Sequence, residues 1–106
     1  MERVATKGKD VKPTIKHDDW LFEQLKDANF AAEFLNAASE DDDPKTYLAA
    51  LRKVVDARGG MASTAEKAQL SRETLYRTLS SRGNPTIKTL NAVLKATGLK
   101  FGITAH

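Results

Sequence analysis

The sequence contains no cysteine. That removes disulfides, thiol nucleophiles and thiolate metal sites together, and it accords with a reducing compartment. Histidine is almost as scarce: only His17 and His106 occur, so no pair has the spacing of a metal site or of a nucleophile with its base. The six glycines are scattered singly apart from Gly59-Gly60, so no glycine-rich phosphate loop exists. No apolar run approaches the roughly 20 residues that span a bilayer, and none forms the apolar core of a signal peptide. These gaps point away from an enzyme, a cofactor or a bound metal, and towards a soluble cytoplasmic protein with no membrane partner.

What is present is charge, and it is segregated. The net charge of +3 is spread over 106 residues, a length that suits one domain. Residues 1–17 hold five Lys/Arg against two acids. Residues 18–43 hold nine acids against Lys26 alone. Residues 44–106 hold eleven Lys/Arg against three acids. The last part is therefore a candidate surface for phosphates, unless a mixed surface has segregated by chance. The acidic part would repel nucleic acid and suits a basic protein. With a tail set aside, roughly 90 residues remain to fold, a marginal core that makes dimerisation plausible.

Taken in order, Met1 to His17 has no apolar period and is rich in Lys, Thr, Gly and Pro. It reads as a disordered basic tail, either a solvated leader or an arm that touches DNA or a partner. Asp18-Asp19 are expected to cap a short helix carrying Trp20, Leu21, Phe22 and Leu25, apolar residues that either dock on the domain or meet a partner. A second helix from Asn29 places Phe30, Ala31, Phe34, Leu35 and Ala38 on one stripe. The acidic run Glu40 to Asp43 is a solvated capping loop rather than a metal site, since consecutive side chains diverge. Asp43 caps a third helix with Pro44 in its first position. That helix buries Tyr47, Leu48, Leu51, Val54 and Val55, leaves Arg52, Lys53, Asp56 and Arg58 outside, and stops at Gly59-Gly60.

The stretch Met61 to Leu79 reads as helix, tight turn and helix. The first helix runs to Ala68, the turn is Gln69-Leu70, and Ser71 caps a second helix from about Arg72 to Ser80. Ala65 and Ala68 permit close helix approach. Leu70, Leu75 and Leu79 form a buried side, whereas Arg72, Glu73, Tyr76 and Arg77 face elsewhere. A polar, Arg-bearing helix braced by a small-residue helix is what a helix-turn-helix needs to enter the major groove. Arg72 and Thr74 are the first candidates for base contact, with Tyr76 and Arg77 further along. Glu73 either accepts from cytosine N4 or simply complements the helix dipole. Tyr76 is either a contact or a ring at the core edge. Ser80, Ser81, Arg82 and Asn84, with Gly83 and Pro85, form a loop suited to phosphate contacts. Asn84 or Thr86 caps a last helix bearing Ile87, Leu90, Val93 and Leu94. Beyond Gly98, the alternation of Leu99, Phe101 and Ile103 with polar or small residues predicts a short β-strand. Its partner would be the same strand of a second subunit.

The phrase Leu70-Ser71-Arg72-Glu73-Thr74-Leu75-Tyr76-Arg77-Thr78-Leu79, followed by Gly83-Asn84-Pro85-Thr86, resembles the probable addiction-module antidote family. Its members are HigA-like, XRE-type helix-turn-helix proteins. Ala32 to Ala38, Asp43-Pro44 and Tyr47 to Leu51 resemble the leader helices of the same family, so the likeness covers about residues 18–104. Two positions depart from the pattern: Gln69 stands where the turn usually has Gly, and Met61 stands where the wider class often places a phosphate-binding Gln. The resemblance implies an all-α, five- to six-helix, XRE/lambda-repressor-like domain over residues 18–106, with its helix-turn-helix at 61–80. It implies a homodimeric antitoxin that binds double-stranded operator DNA and a RelE/ParE-like (HigB-type) toxin. Two other readings stand beside it: a prophage-type transcriptional repressor without a toxin partner, and an interaction module that has lost DNA binding.

Overall fold

Short polar side chains decide where most of the helices begin. In the computed structural model, which describes residues 17–103 and 105, these are α1 (His17–Gln24), α2 (Ala28–Ala38), α3 (Pro44–Ala57), α4 (Gly60–Ala68), α5 (Arg72–Thr78) and α6 (Ile87–Ala96). Asp27 and Asp43 accept the N–H groups of Asn29 and Lys45, at 2.8 and 3.0 Å. Ser71 and Thr86 accept those of Thr74 and Thr89, at 3.0 and 3.1 Å. Each bond satisfies a donor that the first helical turn leaves unpaired, worth about 1 kcal/mol per cap. The acidic loop has the same purpose. The Asp41 carboxylate accepts from the Asp43 N–H and the Thr46 hydroxyl, and those two bonds hold its pKa below the ordinary carboxylate value.

The middle of the chain organises the packing. Helix α3 contacts α1, α2 and α4, and α4 in turn contacts α5 and α6. Leu51, Val54 and Val55 of α3 are fully buried with Leu25, Leu75 and Val93. Each such side chain contributes about 1.5–3 kcal/mol of apolar burial. Thr64 of α4 is buried among them, and its hydroxyl has no hydrogen-bond partner among the described residues.

Two helices end in the same way. At the end of α4, the Gln69 N–H bonds Glu66 O and the Leu70 N–H bonds Ala65 O, at 3.1 and 2.9 Å. At the end of α6, the Gly98 N–H bonds Lys95 O and the Leu99 N–H bonds Leu94 O, at 3.0 and 2.9 Å. Both are Schellman closures, in which one left-handed residue turns the chain and the next hydrophobe folds back onto the core. Leu70 and Leu99 do so. The left-handed residue is Gly98 (φ 86°) after α6 but Gln69 (φ 60°, ψ 42°) after α4.

A side chain ties three chain reversals together. Arg58 follows α3, and its Nε donates to Thr97 O while its Nη1 donates to Lys26 O, each at 2.7 Å. The guanidinium thus joins the end of α6 to the connection between α1 and α2, where carbonyls are otherwise unpaired.

Several sequence expectations shift. Among the described residues there are six helices and no strand, so the C-terminal β-strand is not formed. The Leu99 N–H is spent on the α6 closure, and among the described residues no other strand exists to pair with residues 100–103. Thr104 and His106 lie outside the described residues, as do residues 1–16 of the tail. His17, expected to end that tail, opens α1 instead. Asp18 and Asp19 lie inside the first turn of α1 rather than capping it. Helix α2 starts at Ala28, capped by Asp27, and α5 ends at Thr78, two residues short of Ser80. Thr86, not Asn84, caps α6. Ile87 is 78% exposed at the start of α6 rather than in the core. No helix among the described residues is long and apolar enough to cross a membrane.

Candidate nucleic-acid interface

Helix α5 is seven residues long, about 10 Å at 1.5 Å per residue. Leu75 and Thr78 bury one side of it, with Leu79 just beyond, and this fixes the other side outward. Arg72, Glu73 and Arg77 are exposed, Tyr76 is 41% exposed and Thr74 is half-buried. Four of the expected contact residues therefore share the outer side of one short helix. Arg82 and Ser81 are also exposed, in the loop that follows. Among the described residues no carboxylate pairs with Arg72, Arg77 or Arg82; the ion pairs lie elsewhere, Lys26–Glu23, Arg52–Asp56 and Lys53–Asp18. Three unpaired guanidiniums, each with five N–H donors, can meet phosphate oxygens or guanine edges.

The hydroxyls divide into structural and available groups. Ser71 accepts the Thr74 N–H and donates its own proton to the Thr74 hydroxyl, at 2.8 Å. It has no proton left for a phosphate while it caps α5. Thr74 keeps its proton to donate. Ser80 is spent as well: it donates to Arg77 O at 2.7 Å and accepts the Arg82 N–H at 3.3 Å. Ser80 thus fastens the loop to the end of α5. Ser81 and Asn84 remain exposed beside Arg82.

The loop is pressed against the end of α5 because residue 83 has no side chain. The Gly83 N–H bonds Ser80 O at 2.9 Å. A Cβ on Gly83 would overlap the Thr78 carbonyl oxygen and come within 3.1 Å of Arg77 O. Glycine is needed here for closeness, and it holds Arg82 and Asn84 next to the end of α5.

Tyr76 has a partner that the sequence did not announce. The Arg52 guanidinium of α3 lies 4.9 Å from the centre of its ring, and Arg52 Nε is 3.3 Å from Asp56 Oδ1. The ring is therefore a core-edge brace with an exposed rim, fixed against α3 by a cation–π contact. The Arg52–Asp56 pair was visible at i,i+4 spacing; the ring, 24 residues later, was not. Met61, at the start of α4, is buried and offers no polar group to a phosphate. Among the described residues no cluster of metal-ligating side chains occurs.

Comparison with known proteins places the chain in a family. Residues 16–105 match the family described as "Probable addiction module antidote protein". An uncharacterized protein of Haemophilus influenzae is 38% identical over 92 residues, covering 78% of this chain and 94% of that protein. No solved structure matches significantly. The match to the family takes in all six helices and the loop behind α5, and the chain belongs to the probable addiction module antidote family.

Proposed function

We propose that this chain is a sequence-specific DNA-binding antitoxin of a type II toxin–antitoxin module. In this reading it neutralises a RelE/ParE-like, HigB-type toxin by direct binding and represses the promoter that the two genes share. The family description supports the antidote role. The observation that carries DNA binding is the set of unpaired arginines, Arg72, Arg77 and Arg82, on and behind the outer side of α5. Helices α4 and α5 with their three-residue turn act as a helix-turn-helix, and α5 is the reading helix. Arg72 and Thr74 read base edges, and Arg77, Glu73 and Tyr76 line the groove wall. Ser81, Arg82 and Asn84 hold phosphates and set the register. Ser71 fixes the N-terminus of the reading helix as its cap.

The protein acts as a homodimer, so that two reading helices meet half-sites about 34 Å apart. Residues 100–103, with Phe101 43% and Ile103 98% exposed, are available for contact between subunits.

The test uses duplex DNA from the chain's own promoter and a random duplex of equal length. Arg72→Ala should weaken promoter binding by about tenfold or more and leave random-duplex binding nearly unchanged. Arg82→Ala should weaken both alike and flatten the salt dependence, because one counterion-releasing contact is lost. Equal loss on both duplexes with Arg72→Ala would remove α5 from the reading role. Co-purification with the product of the adjacent small reading frame tests the toxin half. Promoter binding without any such partner would favour a repressor that stands alone.

A further inference from the structure

We propose that the trench between α1 and α3 receives an arginine side chain of a basic protein partner. The proposal rests on the antitoxin reading and names the surface by which the partner is held. The trench is lined by Asp18, Leu21, Phe22 and Leu25 from α1 and its end, and by Lys53 and Asp56 from α3. Its volume is about 220 Å³, below the roughly 300–1,000 Å³ of small-molecule sites but open to one long side chain.

Its chemistry selects among occupants. Leu21 and Leu25 form a buried apolar floor, and Phe22, 40% exposed, forms a wall. Asp18 from α1 and Asp56 from α3 each bring a carboxylate to the lining, and Lys53 brings an ammonium. An anion would meet both carboxylates. A purely apolar group would leave them poorly solvated. An arginine satisfies all three features: its methylenes lie on the leucines, its planar guanidinium stacks on an aromatic face, and its donors reach both carboxylates. The Phe22 ring already attracts a cation, since the Lys26 ammonium lies 5.3 Å from its centre. Both carboxylates have a resident cation, Lys53 Nζ 3.8 Å from Asp18 Oδ1 and Arg52 Nε 3.3 Å from Asp56 Oδ1; all four side chains are more than a third exposed, so an incoming guanidinium exchanges with weak, solvated pairs.

The charge distribution states which kind of macromolecule brings the arginine. Asp18, Asp19, Glu23 and Asp27 lie on or just after α1 against Lys26 alone, a local acidic side that suits a basic protein surface rather than nucleic acid. A second copy of this chain could offer arginines only from residues 44–106 or the tail, and docking those of α5 would consume the reading surface. Arginine is among the residue types that most often dominate such interfaces.

The experiment measures binding of the full chain to the purified product of the adjacent reading frame by titration calorimetry. Asp18→Lys and Phe22→Ala should each weaken binding by about tenfold to hundredfold, while Asp18→Glu stays near wild type. Duplex binding by all three variants should stay at the wild-type level, since none lies on α5. On the partner, one arginine changed to alanine should reproduce the loss and show no further loss when combined with Asp18→Lys. Asp18 is too exposed for its replacement to unfold the chain, so it remains informative if Phe22→Ala is unstable. Wild-type affinity in Asp18→Lys overturns the trench and leaves the antitoxin reading standing. No binding by the unmodified chain overturns both. Self-association that Asp18→Lys abolishes overturns the proposal in favour of a second copy.

Discussion

Replacing Gln69 with glycine should make this protein more stable. Gln69 holds φ 60° and ψ 42°, where the Cβ of an L-residue approaches the following carbonyl oxygen at a cost of about 1–2 kcal/mol. Gln69→Gly removes that strain. It also loosens the unfolded chain, which offsets about 0.4–1 kcal/mol. The net expectation is a gain of about 0.5–1 kcal/mol, or roughly 2–8 °C in melting temperature for a domain of this size. Nothing else need change, since Gln69 is exposed and its side chain makes no hydrogen bond among the described residues.

Two companions isolate the cause. Gln69→Ala keeps the Cβ and therefore the strain, so it should fall within about 0.5 kcal/mol of wild type. Gly98→Ala makes the opposite change at the equivalent point of α6. It adds a Cβ at φ 86°, 3.1 Å from Arg58 Nη2, and should cost at least about 1–2 kcal/mol. Urea unfolding followed by circular dichroism, at one fixed protein concentration because of possible association, reads all three. If Gln69→Gly proves neutral or destabilising while Gln69→Ala is neutral, the strain assigned to the turn does not exist.

Two other positions make equally definite expectations. Arg58→Ala removes two charge-assisted bonds of 2.7 Å; allowing for the exposure of the one to Lys26 O, the loss should be about 2–3 kcal/mol in urea unfolding, and Arg58→Lys should recover less than half because an ammonium cannot span both carbonyls. A loss under about 0.5 kcal/mol would mean the three reversals are held by packing alone. Gly83→Ala forces the loop off the end of α5 and should cost about 1–3 kcal/mol together with at least tenfold in promoter binding; unchanged duplex affinity would separate the loop from the reading surface.

The elements that could be read from the sequence are those whose causes are local. Asp43-Pro44 and Ser71 carry their capping chemistry within three residues, and both helices begin where that chemistry says. The spacing of Leu48, Leu51, Val54 and Val55 put the buried face of α3 in plain view. The C-terminal segment failed for the opposite reason. A period of two announces a strand only where another strand offers hydrogen bonds, and the six helices provide none. Leu99, counted as the first strand residue, is instead the hydrophobe that seals the α6 closure. Ile87 shows the same limit at a helix end, where spacing matched the stripe but the helix had only begun.

The outer side of α5 divides along the same line. Which side of α5 faces outward follows from Leu75 and Leu79 alone, so Arg72, Glu73, Tyr76 and Arg77 could be placed together before any coordinates. What holds that side in position could not. Arg52 reaches Tyr76 across 24 residues, Arg58 reaches Thr97 across 39, and Gly83 matters because the Thr78 carbonyl stands where its Cβ would go. Arg52 and Arg58 read as surface cations in the sequence, because charge and helical spacing say nothing about an acceptor on another helix. Ser80 has a use of the same hidden kind: its hydroxyl suits a phosphate in isolation, and here it donates to Arg77 O and accepts the Arg82 N–H. A polar residue next to a reading helix is therefore a contact candidate only after the local backbone has taken what it needs. Applied to α5, that condition separates Arg72, Thr74, Arg77 and Arg82, which keep donors to give, from Ser71 and Ser80, which fasten the helix that carries them.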